Sequence, residues 1–185
     1  MKQFFRYNRA AAAVILAVIV LASLALGVTR SVHRLTDRVI AEYGGGDDEY
    51  GSVQADLTKY CQHGRELCAI AEAAGFDTAA LSDALAVLEQ SPGPFDGAKT
   101  GADAVQYAAA SVYNRMLAAG IDETMMRSAK LYYTEAESDR MRMANNEAYN
   151  DLARSYNDAI RSFPASLVSD GKTADVFDGA AVPVF

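Results

Sequence analysis

The side chains able to do chemistry are few in this chain of 185 residues. Cys61, His63 and Cys68 stand close together, and thiolate with imidazole is a zinc donor set. Their spacing argues against that use. Two residues along a helix are about 200° apart around its axis, so His63 and Cys61 face opposite sides. Cys61 and Cys68 share a side, but their backbones lie about 10 Å apart, too far for a disulfide within one helix. They read as two small apolar residues on a packed face, and no metal is expected. His33 lies among basic residues. Glu135, Glu137 and Asp139 form a carboxylate cluster of the kind acid–base hydrolysis uses. Alternate positions diverge around a helix, so a solvated face is the expectation there. The run Asp47-Asp48-Glu49 lacks the ordered ligand spacing of a calcium loop. No nucleophile has an evident base partner, and no glycine-rich phosphate loop follows a strand. The chain is therefore expected to be non-enzymatic, with no cofactor.

The elements that position these residues are expected to be helices. The composition is alanine-rich, with no tryptophan and only four prolines. Ala10 to Val28 is free of charge, and Ser23 is its only polar side chain. As a helix that run is about 28 Å long, the thickness of a hydrocarbon core. Lys2, Arg6 and Arg9 flank it on one side and Arg30, Arg34 and Arg38 on the other, with Phe4, Phe5 and Tyr7 suited to the headgroup level. The run is longer than the apolar part of a signal peptide, and Ala25-Leu26-Gly27 is a mediocre cleavage site, so an uncleaved single-pass anchor is expected. A short basic amino terminus of this kind ordinarily stays in the cytoplasm and sends the body outward.

Residues 1–43 form the anchor and a membrane-proximal helix with net charge +4, from six Lys/Arg and two acids; residues 44–185 carry the remaining eleven and twenty-two, or −11. A body this acidic does not bind nucleic acid through its net field. Residues 44–52 read as a Gly-rich acidic linker. Residues 53–164 read as an elongated antiparallel helical bundle. Val53, Leu57, Tyr60, Gly64, Leu67, Ala71 and Ala74 repeat at alternating steps of four and three, the spacing of a bundle seam. Gly64 there allows a neighbour to come close. Ala73-Ala74-Gly75-Phe76-Asp77 and Ala118-Ala119-Gly120-Ile121-Asp122 read as joints: glycine ends one helix and aspartate caps the next. Leu81, Leu85 and Leu88 give a short inward-facing helix over 78–90. The stretch 91–97, with Pro92 and Pro94, is a loop, and helix returns over 100–119. The last helix is expected to run unbroken from Glu123 to Phe163, about 60 Å if straight. Residues 165–185 are aperiodic and read as a flexible tail.

That last helix carries the most organised pattern. Tyr149, Tyr156 and Phe163 recur every seven residues, with Leu152, Ala153, Ala159 and Ile160 filling the same side. Arg154, Asp158 and Arg161 are spaced to pair on the wet side. Asn150 and Asn157 each follow a core tyrosine, where they are placed to bond a neighbouring helix and fix register, or to form a ridge for a partner. Pro164 stops the helix. The set Tyr149-Asn150, Tyr156-Asn157, Ile160 and Phe163-Pro164 resembles the signature of LemA family proteins, bacterial membrane-anchored proteins whose last helix closes with two Tyr-Asn pairs and a Phe-Pro stop. This chain has Asn145-Asn146 where that family commonly has Ala-Arg. The resemblance implies an all-α fold, an N-terminal transmembrane helix followed by an extended bundle, and no catalytic residue.

Two roles follow as expectations. The first is a membrane-anchored interaction or scaffold protein of the bacterial cell envelope, with a protein partner or self-association. The alternative is an extracytoplasmic ligand-binding or sensing bundle that signals through another protein, and that role needs a pocket with converging polar groups.

Overall fold

A computed structural model describes residues 2–46, 51–91 and 93–179. The side chains of residues 2–10, the Asp47-Asp48-Glu49 run, Pro92 and the tail from 180 onward lie outside the described residues. The rest is all-helical: α1 (Lys2–Gly45), α2 (Val53–Ala73), α3 (Ala79–Gln90), α4 (Ala98–Ala119), α5 (Glu123–Asn145), α6 (Glu147–Arg161) and a 3-10 turn at Ala165–Leu167.

Helices α2 to α5 run up, down, up and down. The pairing follows from cross-seam contacts. Asp56 of α2 meets Arg142 of α5 and His63 meets Asp139, so those two helices are antiparallel. Gln106 of α4 meets Glu137 of α5, and Tyr113 stacks on Tyr133 with ring centroids 4.5 Å apart. The short α3 returns between α2 and α4. Its Leu81, Leu85 and Leu88 are all buried, as their spacing predicts. Each such leucine contributes about 2 kcal/mol of apolar burial.

Close approach is possible because α2 and α4 present glycines to α3. A Cβ on Gly64 would stand 2.9 Å from Leu85 Cδ2, and one on Gly101 would stand 2.9 Å from Leu88 Cδ1. The glycines of both joints act as read from the sequence; of the aspartates, Asp122 is the N-cap of α5, whereas the cap position of α3 falls on Thr78, one residue past Asp77. Gly75 and Gly120 take φ of 83° and 62°, the left-handed region open to glycine. Asp77 accepts from Ala79 N, and Asp122 accepts from Thr124 N and Met125 N.

Helix α1 is continuous. From Ala11 it is long and apolar enough to cross a membrane, and that apolar part is unburied. Beyond it Val32 and Leu35 are half-buried, and Val39 and Tyr43 are fully packed. That second half lies antiparallel to α6, with the Tyr43 and Tyr149 rings 5.4 Å apart. Ser52 ties the helix to the bundle: its hydroxyl donates to Tyr43 O and accepts from Ala55 N at the start of α2.

Three expectations are corrected. The last helix is not unbroken: it divides at Asn146, which caps α6 by accepting from Tyr149 N at 3.0 Å. Phe163 does not extend the buried seam. The helix has ended at Arg161, so the seven-residue repeat no longer fixes its direction, and Phe163 is 81% exposed beside Pro164, to which it is joined by a cis bond. The segment after 164 is not a loose tail as far as residue 179. Ala174 and Phe177 are core residues, and Asp175 N donates to Pro94 O at 2.7 Å.

Candidate functional site

Two polar constellations are built into the packed interior. The first sits in the α2–α5 seam. Asp139 is 0% exposed. One of its carboxylate oxygens lies 2.7 Å from His63 Nδ1, and the other accepts from Arg142 Nη2. Arg142 Nε reaches on to Asp56 Oδ1 at 3.1 Å, and Asp56 is itself buried. The His63 ring leans on Tyr132, with centroids 6.1 Å apart. The solvated face expected for Glu135, Glu137 and Asp139 therefore holds for Glu135 alone. Glu137 is half-buried and accepts from Gln106 Nε2, and Asp139 faces α2. Burial pushes the Asp139 carboxyl above its ordinary value; the His63 hydrogen bond and the Arg142 charge pull partly back. For Arg142 burial works against the charge, but the Asp56 bond and the two carboxylates outweigh it and the net shift is upward.

In chemical terms this is an imidazole oriented by a carboxylate that an arginine holds in turn. Such a set can fix the orientation of the ring and the register of α2 against α5. Among the described residues no group of three or more His, Cys, Asp and Glu side chains is placed to hold a metal ion. Cys61 and Cys68 are free and buried. Burial pushes each thiol up to about 11, with Glu89 near Cys61 and Glu72 near Cys68 adding to the rise.

The second constellation is the Tyr-Asn face of α6. Tyr149 donates its hydroxyl to Asp175 O at 2.7 Å, and Tyr156 donates to Lys172 O at 3.3 Å. Asn157 donates to Ala174 O and accepts from Ala174 N. Asn150 donates to Met143 O and Ala144 O, the last carbonyls of α5, and accepts from Phe177 N at 2.8 Å. Asn150 thus bonds a neighbouring helix, the end of α5, as expected, whereas Asn157 bonds no helix and holds Ala174 instead. Four side chains on one face of α6 hold an extended strip, residues 172–177, by its backbone. Ile160 is buried on the same face, while Phe163 and Pro164 lie beyond it and exposed. Arg154 pairs with Asp151 on the wet side, rather than with Asp158.

Asp175 completes the arrangement. Its Oδ2 accepts from Gly97 N and Ala98 N at 3.0 and 2.8 Å, supplying the α4 N-terminus with a cap that glycine lacks. Its carboxyl is shifted upward by burial, against the pull of those backbone bonds. This function was not legible in the sequence, because the aspartate and the helix it caps are far apart along the chain. The class that these observations define is an all-helical protein with one N-terminal helix long and apolar enough to cross a membrane. No protein-family model, curated protein or solved structure matches the chain.

Proposed function

We propose that this chain is a LemA-like, membrane-anchored helical bundle of the bacterial cell envelope that works as a scaffold or adaptor and not as an enzyme. The observation that carries the reading is the continuity of α1. Its exposed apolar run from Ala11 passes without a break into the half that packs on α6, so the anchor is also a wall of the body. An anchor of that kind holds a body at a membrane in a fixed pose, which is what a scaffold requires. The resemblance at Tyr149-Asn150, Tyr156-Asn157 and Phe163-Pro164 supports the family reading.

The interior polar groups fit the same view. Asp139, Arg142 and Asp56 are engaged with one another, and the asparagines with backbone, so they serve as pins for register. Exposed apolar side chains on the bundle, Val87, Tyr107 and Leu131, offer surface to a protein partner or a second copy. With three basic residues on either side of the apolar run, the assignment of an extracytoplasmic body rests on the shortness of the basic amino terminus, which ordinarily stays in the cytoplasm.

The test is crosslinking in intact membranes followed by mass spectrometry. Reproducible recovery of one protein, or of a self-crosslink through the bundle, is expected; recovery of neither would overturn the scaffold reading. A cysteine added after Phe185 is expected to react with an impermeant reagent in intact cells, and labelling only after lysis would reverse the assigned side.

A further inference from the structure

We propose that the turn Phe163–Val168 is a second membrane contact, seated in the interfacial layer of the bilayer that α1 crosses, and that the cleft beside it receives the headgroup of an amine-bearing phospholipid. The inference rests on the reading of α1 as an anchor. Three large apolar side chains fall within these six residues, and all point away from the core: Phe163 and Leu167 are 81% and 74% exposed, and Val168 is 40% exposed. Immediately before them α6 turns its apolar residues inward, so this outward set is a local reversal of pattern.

The fold says what covers them. Helix α6 runs antiparallel to the packed half of α1, so its C-terminal end comes back to where that half begins. The 3-10 turn that follows packs on α1 itself. Between them lies a cleft of about 430 Å³ that Thr29 and Thr36 line from α1 and Val168 lines from the other side. Thr29 directly follows Val28, the last residue of the uncharged run. Thr36 lies about 10 Å further along the helix. The polar layer outside a hydrocarbon core is roughly 5–8 Å deep on each side. The cleft therefore begins where hydrocarbon ends and spans the headgroup layer, and the turn that carries the exposed Phe163 and Leu167 runs directly into its lining at Val168 and Ser169.

Its charges are mixed, which selects the lipid class. Lys172 lines it with a cation that suits a phosphodiester, and His33 adds a ring nitrogen there, while Asp96 and Asp170 line it and suit an ammonium. A headgroup bearing both charges matches this better than a purely anionic one.

The chain has no tryptophan, so Phe163→Trp gives a single indole in the full-length protein. The variant is reconstituted in vesicles of phosphatidylethanolamine and phosphatidylcholine, with the phosphatidylcholine brominated near the ester end or near the chain terminus. Blue-shifted emission that loses most of its intensity to the shallow bromines, and less to the deep ones, is expected. Val20→Trp is expected to show the reverse order. If Val20→Trp is quenched and Phe163→Trp is not, the second contact is wrong and the anchor stands. If Val20→Trp escapes quenching, the anchor reading falls and this inference with it. Blue-shifted but unquenched emission from Phe163→Trp would mean that protein covers the turn, and would also overturn the proposal. For the cleft, native mass spectrometry of the detergent-solubilised chain is expected to retain phosphatidylethanolamine over phosphatidylglycerol. Lys172→Glu should cut that retention about tenfold, the worth of one charge-assisted bond; equal retention of both lipids, or none, would sink the headgroup assignment.

Discussion

Asn157 holds Ala174 by both ends of its side-chain amide: Nδ2 donates to the carbonyl at 2.9 Å and Oδ1 accepts from the N–H at 2.7 Å. A neighbouring strand would bond that residue in the same way. Here a helix side chain takes the strand's place, and residues 172–177 gain a backbone partner without any sheet. The strip in turn delivers Asp175 to the start of α4, so α6 and α4 are coupled through it.

Asn157→Ala is therefore expected to cost about 1–3 kcal/mol, because it strips both backbone groups of Ala174 of their partner at a half-buried site. Tyr149→Phe, which removes one hydroxyl donor, should cost about 1 kcal/mol. Denaturant unfolding of the full chain in detergent measures both. An Asn157→Ala protein as stable as the parent would show that the strip contributes nothing to the fold.

The Asp139 carboxyl makes a pH prediction. Burial raises its folded value above the ordinary 3.8, so the folded state keeps a proton that the unfolded state has released. Folded protein then binds more protons in the window just above 3.8, and its stability falls as pH rises through that window. Asp175 is shifted the same way and adds to the fall. Asp139→Asn removes one titrating group, and its melting temperature should decline less steeply between acid and neutral pH. A variant curve parallel to that of the parent would exclude Asp139 as a source of the slope.

The two thiols should be slow. With values pushed up to about 11 against an ordinary 9.0, the thiolate fraction near pH 8 drops about 100-fold, before burial of the sulfurs slows access further. Iodoacetamide at that pH is expected to leave Cys61 and Cys68 largely unmodified in folded protein and to label both in denaturant. Prompt labelling of the native chain would mean that α2 opens on the labelling timescale.

Glycine replacements should separate by what the new methyl meets. At Gly64 it meets the Cδ atoms of Leu85, the mobile end of the side chain. At Gly101 it also meets Leu88 Cβ at 3.3 Å and its backbone Cα at 3.4 Å, which cannot swing away. Alanine gains about 1 kcal/mol of helix propensity at either place. Gly64→Ala is expected to be near neutral, and Gly101→Ala to be destabilised by about 1–2 kcal/mol through overpacking. Equal stabilities for the two proteins would contradict this account.

What the sequence showed and what it hid divide along one physical line. Leu81, Leu85, Leu88, the α2 seam and the Gly-Phe-Asp and Gly-Ile-Asp joints depend on neighbours within a few residues, and all were readable. Asp139 looked solvated because its spacing from Glu137 sets it on another side of the helix. What buries it is His63, 76 residues away, and spacing within one helix carries no trace of that. The break at Asn146 was hidden for a subtler reason. An asparagine inside a helix costs only a few tenths of a kcal/mol, so apolar periodicity runs across it. The local sign was present, an Asn followed by Glu147 as at a helix start, but it was weaker than the repeat around it. The strip at 172–177 showed no period because it makes its bonds to side chains of α6 rather than to a regular ladder.

The unbroken course of α1 has a mechanical consequence. With no hinge between the unburied apolar half and Tyr43, torsion applied at one end arrives at the other. If the apolar half swivels by a given angle about its axis, the Tyr43–Tyr149 contact is carried round by the same angle, and the body with it. Two such molecules brought together through their apolar halves would therefore meet with their bodies at a set azimuth, with no slack to choose another.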